Sequence, residues 1–145
     1  MSLTKSAMIS LTSTIENITE TGLPTNDRET SNTTASGVLT IGERGGIVSF
    51  TESTEGGEVK TKIELLKDKI RVRRHGAIES DMLFSEGISH RSVYSIPPYS
   101  FDASIFTRRI RGEIGETGGR VDIFYDMEIG GAKKSVKMSL VCDIK

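Results

Sequence analysis

Five polar residues stand where an alternating pattern would place an apolar side chain: Glu52, Thr61, Arg74, Tyr94 and Tyr125. Glu52 follows Val48 and Phe50 at every second position, and Arg74 follows Ile70 and Val72 in the same way. Thr61 and Tyr125 interrupt apolar rows, and Tyr94 closes the Arg91–Tyr94 stretch. In a strand, residues two apart share a face, so all five are expected to project inward if the phase of each strand holds. Two chemistries suit such a set. Arg74 can grip a carboxylate or phosphate of a bound molecule, because a guanidinium presents its donors as a planar fork. Alternatively Glu52 and Arg74 pair as charges near one end of the domain, and Tyr and Thr satisfy each other. A single bulge would invert either assignment.

Other kinds of chemistry find little support. The chain lacks a Gly-x-x-x-x-Gly-Lys phosphate loop, a His-Glu-x-x-His pair and a Gly-x-Ser-x-Gly elbow. Two histidines, His75 and His90, and one cysteine are too few for a protein-only zinc site. Cys142 cannot form an intrachain disulfide, and it alternates with Val136, Met138, Leu140 and Ile144, which marks it as a buried apolar residue. Asp122, Asp126 and Glu128 share one face of a strand and read as a solvated row, not as an acid–base pair. No catalytic residue, metal or cofactor is therefore assigned, and the sequence leans against an enzyme.

Charge is balanced, with 19 Lys and Arg against 20 Asp and Glu. Neutralising phosphates supplies most of the affinity of a nucleic-acid binder, so the balance argues against that class. Lys69, Arg71 and Arg73 form an outward row, and Arg108, Arg109 and Arg111 a second cluster, but no stacking aromatics accompany them in the sequence pattern. Basic residues on exposed strands also discourage edge pairing. No apolar run approaches the roughly 20 residues of a membrane helix, and the N-terminus lacks a signal-peptide core, so a cytoplasmic location without membrane attachment is expected.

The elements that must position the five residues are strands. Gly45-Gly46, Gly56-Gly57, Gly118-Gly119 and Gly130-Gly131 each fall between alternating segments, as tight hairpin corners do. Lys67-Asp68 and Ser85-Glu86-Gly87 read as further turns. The periodicity predicts strands over 6–16, 33–41, 46–53, 58–66, 69–75, 78–84, 90–95, 100–114, 120–129 and 134–144. Residues 18–32 are polar with Gly22 and Pro24 and read as a loop, and residues 1–5 as a terminal tail. In 100–114 the apolar phase shifts from Phe101, Ala103 and Ile105 to Phe106, Ile110 and Ile114. A bulge near 105–107 would bend this long strand around a corner. Many short strands with no helix to cover an edge favour closure. The expectation is one all-β domain over 1–145, an antiparallel barrel of about eight to ten strands, with a sandwich as runner-up.

Four stretches, Val59-Lys60-Thr61-Lys62-Ile63, Arg74-His75-Gly76-Ala77, Met82-Leu83-Phe84 and Tyr125-Asp126-Met127-Glu128-Ile129, in that order and spacing, resemble the bacterial YwiB-like family. The resemblance covers roughly 33–144. It implies a calycin-like barrel related in shape to lipocalins and fatty-acid-binding proteins, and it brings no catalytic residue. The chain departs from lipocalins in having no Trp, and so no Gly-x-Trp signature, and no disulfide. Shape argues for fold and not for activity. The functional expectation is a small intracellular barrel that holds an amphipathic or anionic ligand near Arg74 and Tyr125. The alternative is an interaction module, a homodimer or a binder of protein or RNA, that works through its basic outer surface.

Overall fold

The computed structural model describes residues 3–18, 24–42 and 45–145, with the backbone alone for 24–27. Ten strands follow one another: β1 (Leu3–Ile18), β2 (Pro24–Gly42), β3 (Gly45–Thr54), β4 (Gly57–Leu65), β5 (Ile70–Gly76), β6 (Glu79–Phe84), β7 (Ser89–Ile96), β8 (Tyr99–Gly115), β9 (Gly118–Ile129) and β10 (Ala132–Ile144). Each pairs antiparallel with its neighbours in sequence, and β1 closes the ring on β10. The closure runs from Ala7↔Ile144 through Ile9↔Cys142 and Leu11↔Leu140 to Ile18↔Lys133.

Strand alternation builds the interior. Ala7, Ile9 and Leu11 of β1, Val121 and Ile123 of β9, and Val136, Met138, Leu140 and Cys142 of β10 are all buried in one cluster. Val48, Ile63, Ile70, Val72, Met82, Phe84 and Ile105 join it from the opposite wall. The ring of Phe84 lies on that of Tyr125 with centroids 4.8 Å apart. Burial raises the Cys142 thiol to about 11, which keeps it neutral and unreactive.

The ten strands lie where the periodicity places them, with three differences. Residues 24–32 belong to β2, not to a loop, because they pair with β1 as Thr14↔Thr30 and Glu16↔Arg28. This arm is polar on both faces, so no alternation signals it. Leu3–Lys5 are likewise part of β1, paired with Ile41, Thr40 and Leu39, and are no tail. The bulge of β8 falls between Thr107 and Arg109, beyond the predicted position. The inward phase of Ala103 and Ile105 therefore continues through Thr107, and Phe106 points outward at 41% exposure.

The glycine pairs mark corners, but only Gly130-Gly131 makes up both centre positions of a turn, with φ of 57° and 81°. Gly37 has a different duty. It opposes Phe50 across β2–β3, and a Cβ there would sit 2.6 Å from the Ser49 carbonyl oxygen and 2.9 Å from Ile9. The wall closes tightly at this point because no side chain intervenes.

On the outer face the basic rows are matched by acids on neighbouring strands. Arg71 makes a bidentate pair with Asp81, Nε to Oδ1 at 2.9 Å. Arg73 pairs with Glu64, and Arg108 with Asp126. The Arg71 guanidinium holds the Asp81 carboxyl below its ordinary range, chiefly through the hydrogen bond.

Two predictions follow from these contacts. Gly37→Ala is expected to lower stability by about 1–3 kcal/mol, read from the urea midpoint, because the new Cβ meets backbone that cannot yield. Asp81 has a depressed carboxyl, so its contribution is present above the unfolded pKa of about 3.9 and is lost as pH falls through the lower folded value. The stability difference between the parent and Asp81→Asn should therefore shrink on acidification below pH ~4, as urea titrations at stepped pH would show. The difference itself should stay under about 1 kcal/mol, since the pair is exposed.

Candidate functional site: a polar ring inside the barrel

Register brings the five candidate residues to one end of the interior. Across successive ladders, Gly37 opposes Phe50, Phe50 opposes Thr61, Thr61 opposes Arg74, Arg74 opposes Ser80, Ser80 opposes Tyr94 and Tyr94 opposes Phe101. Directly paired residues share a face, so the inward position of buried Phe50 and Thr61 carries over to each residue in the chain of pairs. Glu52 opposes buried Val59 and is inward by the same argument. Tyr125, buried and paired with Thr107, sits on the facing wall.

The contacts within the set are specific. Thr61 Oγ1 donates to Glu52 Oε1 at 3.0 Å. Glu52 and Arg74 form no ion pair among the described residues, so the pairing considered from sequence is not the arrangement found. Arg74 Nε is buried and has no hydrogen-bond partner among the described residues. Desolvation raises the Tyr125 phenol to about 12, with the Arg74 charge lowering it and Tyr94 raising it to a lesser degree. Tyr125 is thus a neutral donor and acceptor at physiological pH.

Three further polar residues share this interior and escaped the sequence reading. Ser80 Oγ, His90 Nε2 and Thr107 Oγ1 are buried without a partner among the described residues. His90 has the parity of Tyr94 on β7, and Thr107 that of Ile105 on β8, so phase could have signalled both. Thr107 was hidden because the bulge was placed too early. Buried polar atoms are nearly always hydrogen-bonded, to water or a ligand where the chain offers nothing. Four orphaned atoms along β5–β8 therefore mark a polar interior and not a finished core.

The rim adjoining this ring is apolar. Ile96, Tyr99 and Phe101 carry on the inward phase of β7 and β8 beyond Tyr94 and Ala103, yet they are 47%, 66% and 42% exposed. Met127 of β9 and Ile15 of β1 pack only partly against the core. A depression of about 710 Å³ lies along β2–β6 on the outer face, lined mostly by outward residues such as Val38, Ser49, Lys62, Arg73 and His75. Glu52, Tyr94 and Tyr125 lie outside its lining.

The arrangement presents a guanidinium, hydroxyls and one carboxylate that accepts from Thr61. No group of three or more His, Cys, Asp or Glu stands close enough to hold a metal among the described residues. No helix among them is long and apolar enough to cross a membrane.

A buried donor without a partner destabilises the fold, so Arg74→Met should raise stability by about 1 kcal/mol or more. Urea unfolding of the two proteins measures this. A loss instead would make Arg74 a structural partner.

The comparisons with known proteins agree with this architecture. The family model described as a domain of unknown function, DUF1934, matches residues 9–140. The uncharacterized beta-barrel protein YwiB of Bacillus subtilis (strain 168) is 29% identical over 83 residues, 57% of this chain and 58% of that protein. The match to that relative thus spans less than two thirds of its length. The crystal structure of the Bacillus subtilis ywiB protein superposes with a TM-score of 0.80 at 21% identity, covering 97% of this chain and 93% of that one. At that identity the likeness speaks for the fold alone, and the closed ten-stranded ring is the shared feature. With the family model spanning nearly the whole barrel, this chain belongs to the DUF1934 family of YwiB-like β-barrel proteins.

Proposed function

We propose that the barrel binds a small anionic or amphipathic molecule in its interior, with the anionic group on Arg74. The observation that carries this reading is the Arg74 guanidinium, inward, with its buried Nε unpartnered and, among the described residues, no ion pair to a carboxylate. An arginine held this way costs stability, and its fork suits a carboxylate or phosphate oxygen pair. Ser80 opposes it across the β5–β6 ladder, Tyr94 opposes Ser80 in turn, and its charge acts on the Tyr125 phenol. The inward apolar rim of Ile96, Tyr99 and Phe101 suits an attached hydrocarbon portion. A ten-stranded ring is wider than the eight-stranded barrel that already just accommodates one small ligand.

The basic outer surface supports the alternative reading less well. Arg71, Arg73 and Arg108 are committed to acidic partners, which among the described residues leaves Arg109 and Arg111 of the two clusters' arginines without one.

Titration calorimetry with octanoate, octyl phosphate and octanol tests the proposal. Both anions should bind the parent protein, octanol at least roughly tenfold more weakly, and Arg74→Gln should remove the preference, a difference of about 1.4 kcal/mol or more. Native mass spectrometry of gently purified protein gives an independent readout, a bound small mass lost on Arg74→Gln. Absence of binding by all three probes together with no retained mass would overturn the reading.

A further inference from the structure

The ring of strands is closed, but two ladders are much shorter than the strands that make them. β6 pairs with β7 only at Glu79↔Ser95 and Ser80↔Tyr94, where Ser92 Oγ donates across the gap to the Asp81 carbonyl oxygen. The other lies between β2 and β3. β2 pairs with β3 only from Gly37↔Phe50 to Gly42↔Gly45. β1 holds the other edge of β2 along almost its whole length, through Arg28 and on to Pro24. From Arg28 to Ser36 the backbone of β2 therefore pairs on one side only among the described residues, while β3 continues with β4 beyond Phe50. That free edge is about 30 Å long at 3.3 Å per residue.

Natural edges are normally blunted by lysine, proline, an inward charge, a bulge or a covering segment. The edge carries Arg28 and Glu29 at its far end, Glu29 with the inward phase of its partner Ile15. From Thr30 to Ser36 it has no charged residue and no proline. Its pairing with β1 is regular, the irregularity falling between Glu16 and Ile18 of β1 beyond it. Its residues are compatible with a strand, and three are β-branched threonines. It reads as an edge kept available for pairing.

We infer that β2 pairs antiparallel with β2 of a second copy of this chain, about a two-fold axis near Asn32, to join two barrels through one continuous sheet. The stretch is self-complementary. About that axis Thr30 opposes Thr34 of the second copy, Arg28 opposes Ser36 and Glu29 opposes Ala35, so no like charges meet. The outer face already carries a polar ladder across β1–β2, with Thr12 Oγ1 donating to Asn32 Oδ1 at 3.0 Å and Thr14 and Thr30 hydroxyls 3.4 Å apart. Pairing would extend this ladder into the second copy, and cross-strand threonine and asparagine pairs favour such register. A two-fold interface uses the same patch on both copies, as an antiparallel edge allows.

Sedimentation velocity of the full chain from micromolar to about 1 mM should show a reversible dimer. Oxidation of Asn32→Cys should link two chains at least roughly tenfold faster than oxidation of Ser10→Cys on β1, a rate ratio that reports proximity at the axis. The native Cys142 is buried and contributes no background. Thr30→Lys with Thr34→Lys should weaken the dimer at least roughly tenfold. Should the double variant fail to fold, the cross-linking ratio decides alone. A monomer at about 1 mM with no selective cross-link would overturn the inference. So would a dimer whose cross-links avoid residues 30–34, or a monomer that instead captures an added extended peptide on this edge.

Discussion

The structure depends on the register at which successive hairpins close, because a shift of one residue in any ladder turns a whole strand inside out. Nine hairpin ladders and the β1–β10 seam each fix which alternate residues face inward. Gly37 is where this constraint is tightest. Its lack of a side chain lets β2 approach Ser49, Ile9 and Phe50, and it sets the level from which the chain of opposed residues runs to Thr61, Arg74, Ser80 and Tyr94. The polar ring is thus a product of backbone pairing. No side-chain network is needed to align it, and this is why Arg74 can be left without a partner.

The interior has two regimes. Toward the end that holds Leu140, Cys142, Ile63, Ile70 and Val121, inward positions are aliphatic and buried. From Tyr125 and Phe84 toward the other end they turn to Arg, Thr, Ser, His and Tyr, and then to exposed Ile, Tyr and Phe. The first regime stabilises the fold by removing apolar area from water, at about 25 cal/mol per Å². The second does the opposite, since desolvated polar atoms without partners each cost about 1–3 kcal/mol. A domain that needed only to be stable would fill both halves alike. The contrast is the reason to look for function inside the barrel and at one end.

Much of this was legible in the residues themselves. The ten strands follow from a period of two between glycine corners, and Thr61, Arg74 and Tyr125 are inward because they share parity with Ile63, Val72 and Ile123. What was not legible has a physical cause in each case. In the β1–β2 arm residues 24–32 are polar throughout, so they carry no hydrophobic period to read. The bulge at Arg108 adds one residue to β8, and alternation alone cannot place that addition among Phe106, Thr107 and Arg108. Ion pairs such as Arg73 with Glu64 and Arg108 with Asp126 join residues on different strands, and only the register between strands makes them neighbours. His90 was counted as a metal ligand in short supply and never weighed by its phase.

The same short ladder that leaves the β2 edge free also shapes the interior ring. Beyond Phe50, β3 follows β4 and not β2, and Glu52 is the first inward residue on that unaccompanied stretch. Its carboxylate, accepting from Thr61, therefore stands on the flank of the wall where β2 and β3 part, and it is only half-buried. A strand added along Arg28–Ser36 would run past this parting and cover part of it, so the edge and the polar ring are neighbours in space. Gly37 joins them mechanically: it is the last point at which β2 and β3 touch, and the tight approach there fixes both where the edge begins and where the ring lies. Association of two copies and occupancy of the interior would accordingly draw on one local geometry, with the backbone at Gly37 and Phe50 as the shared element.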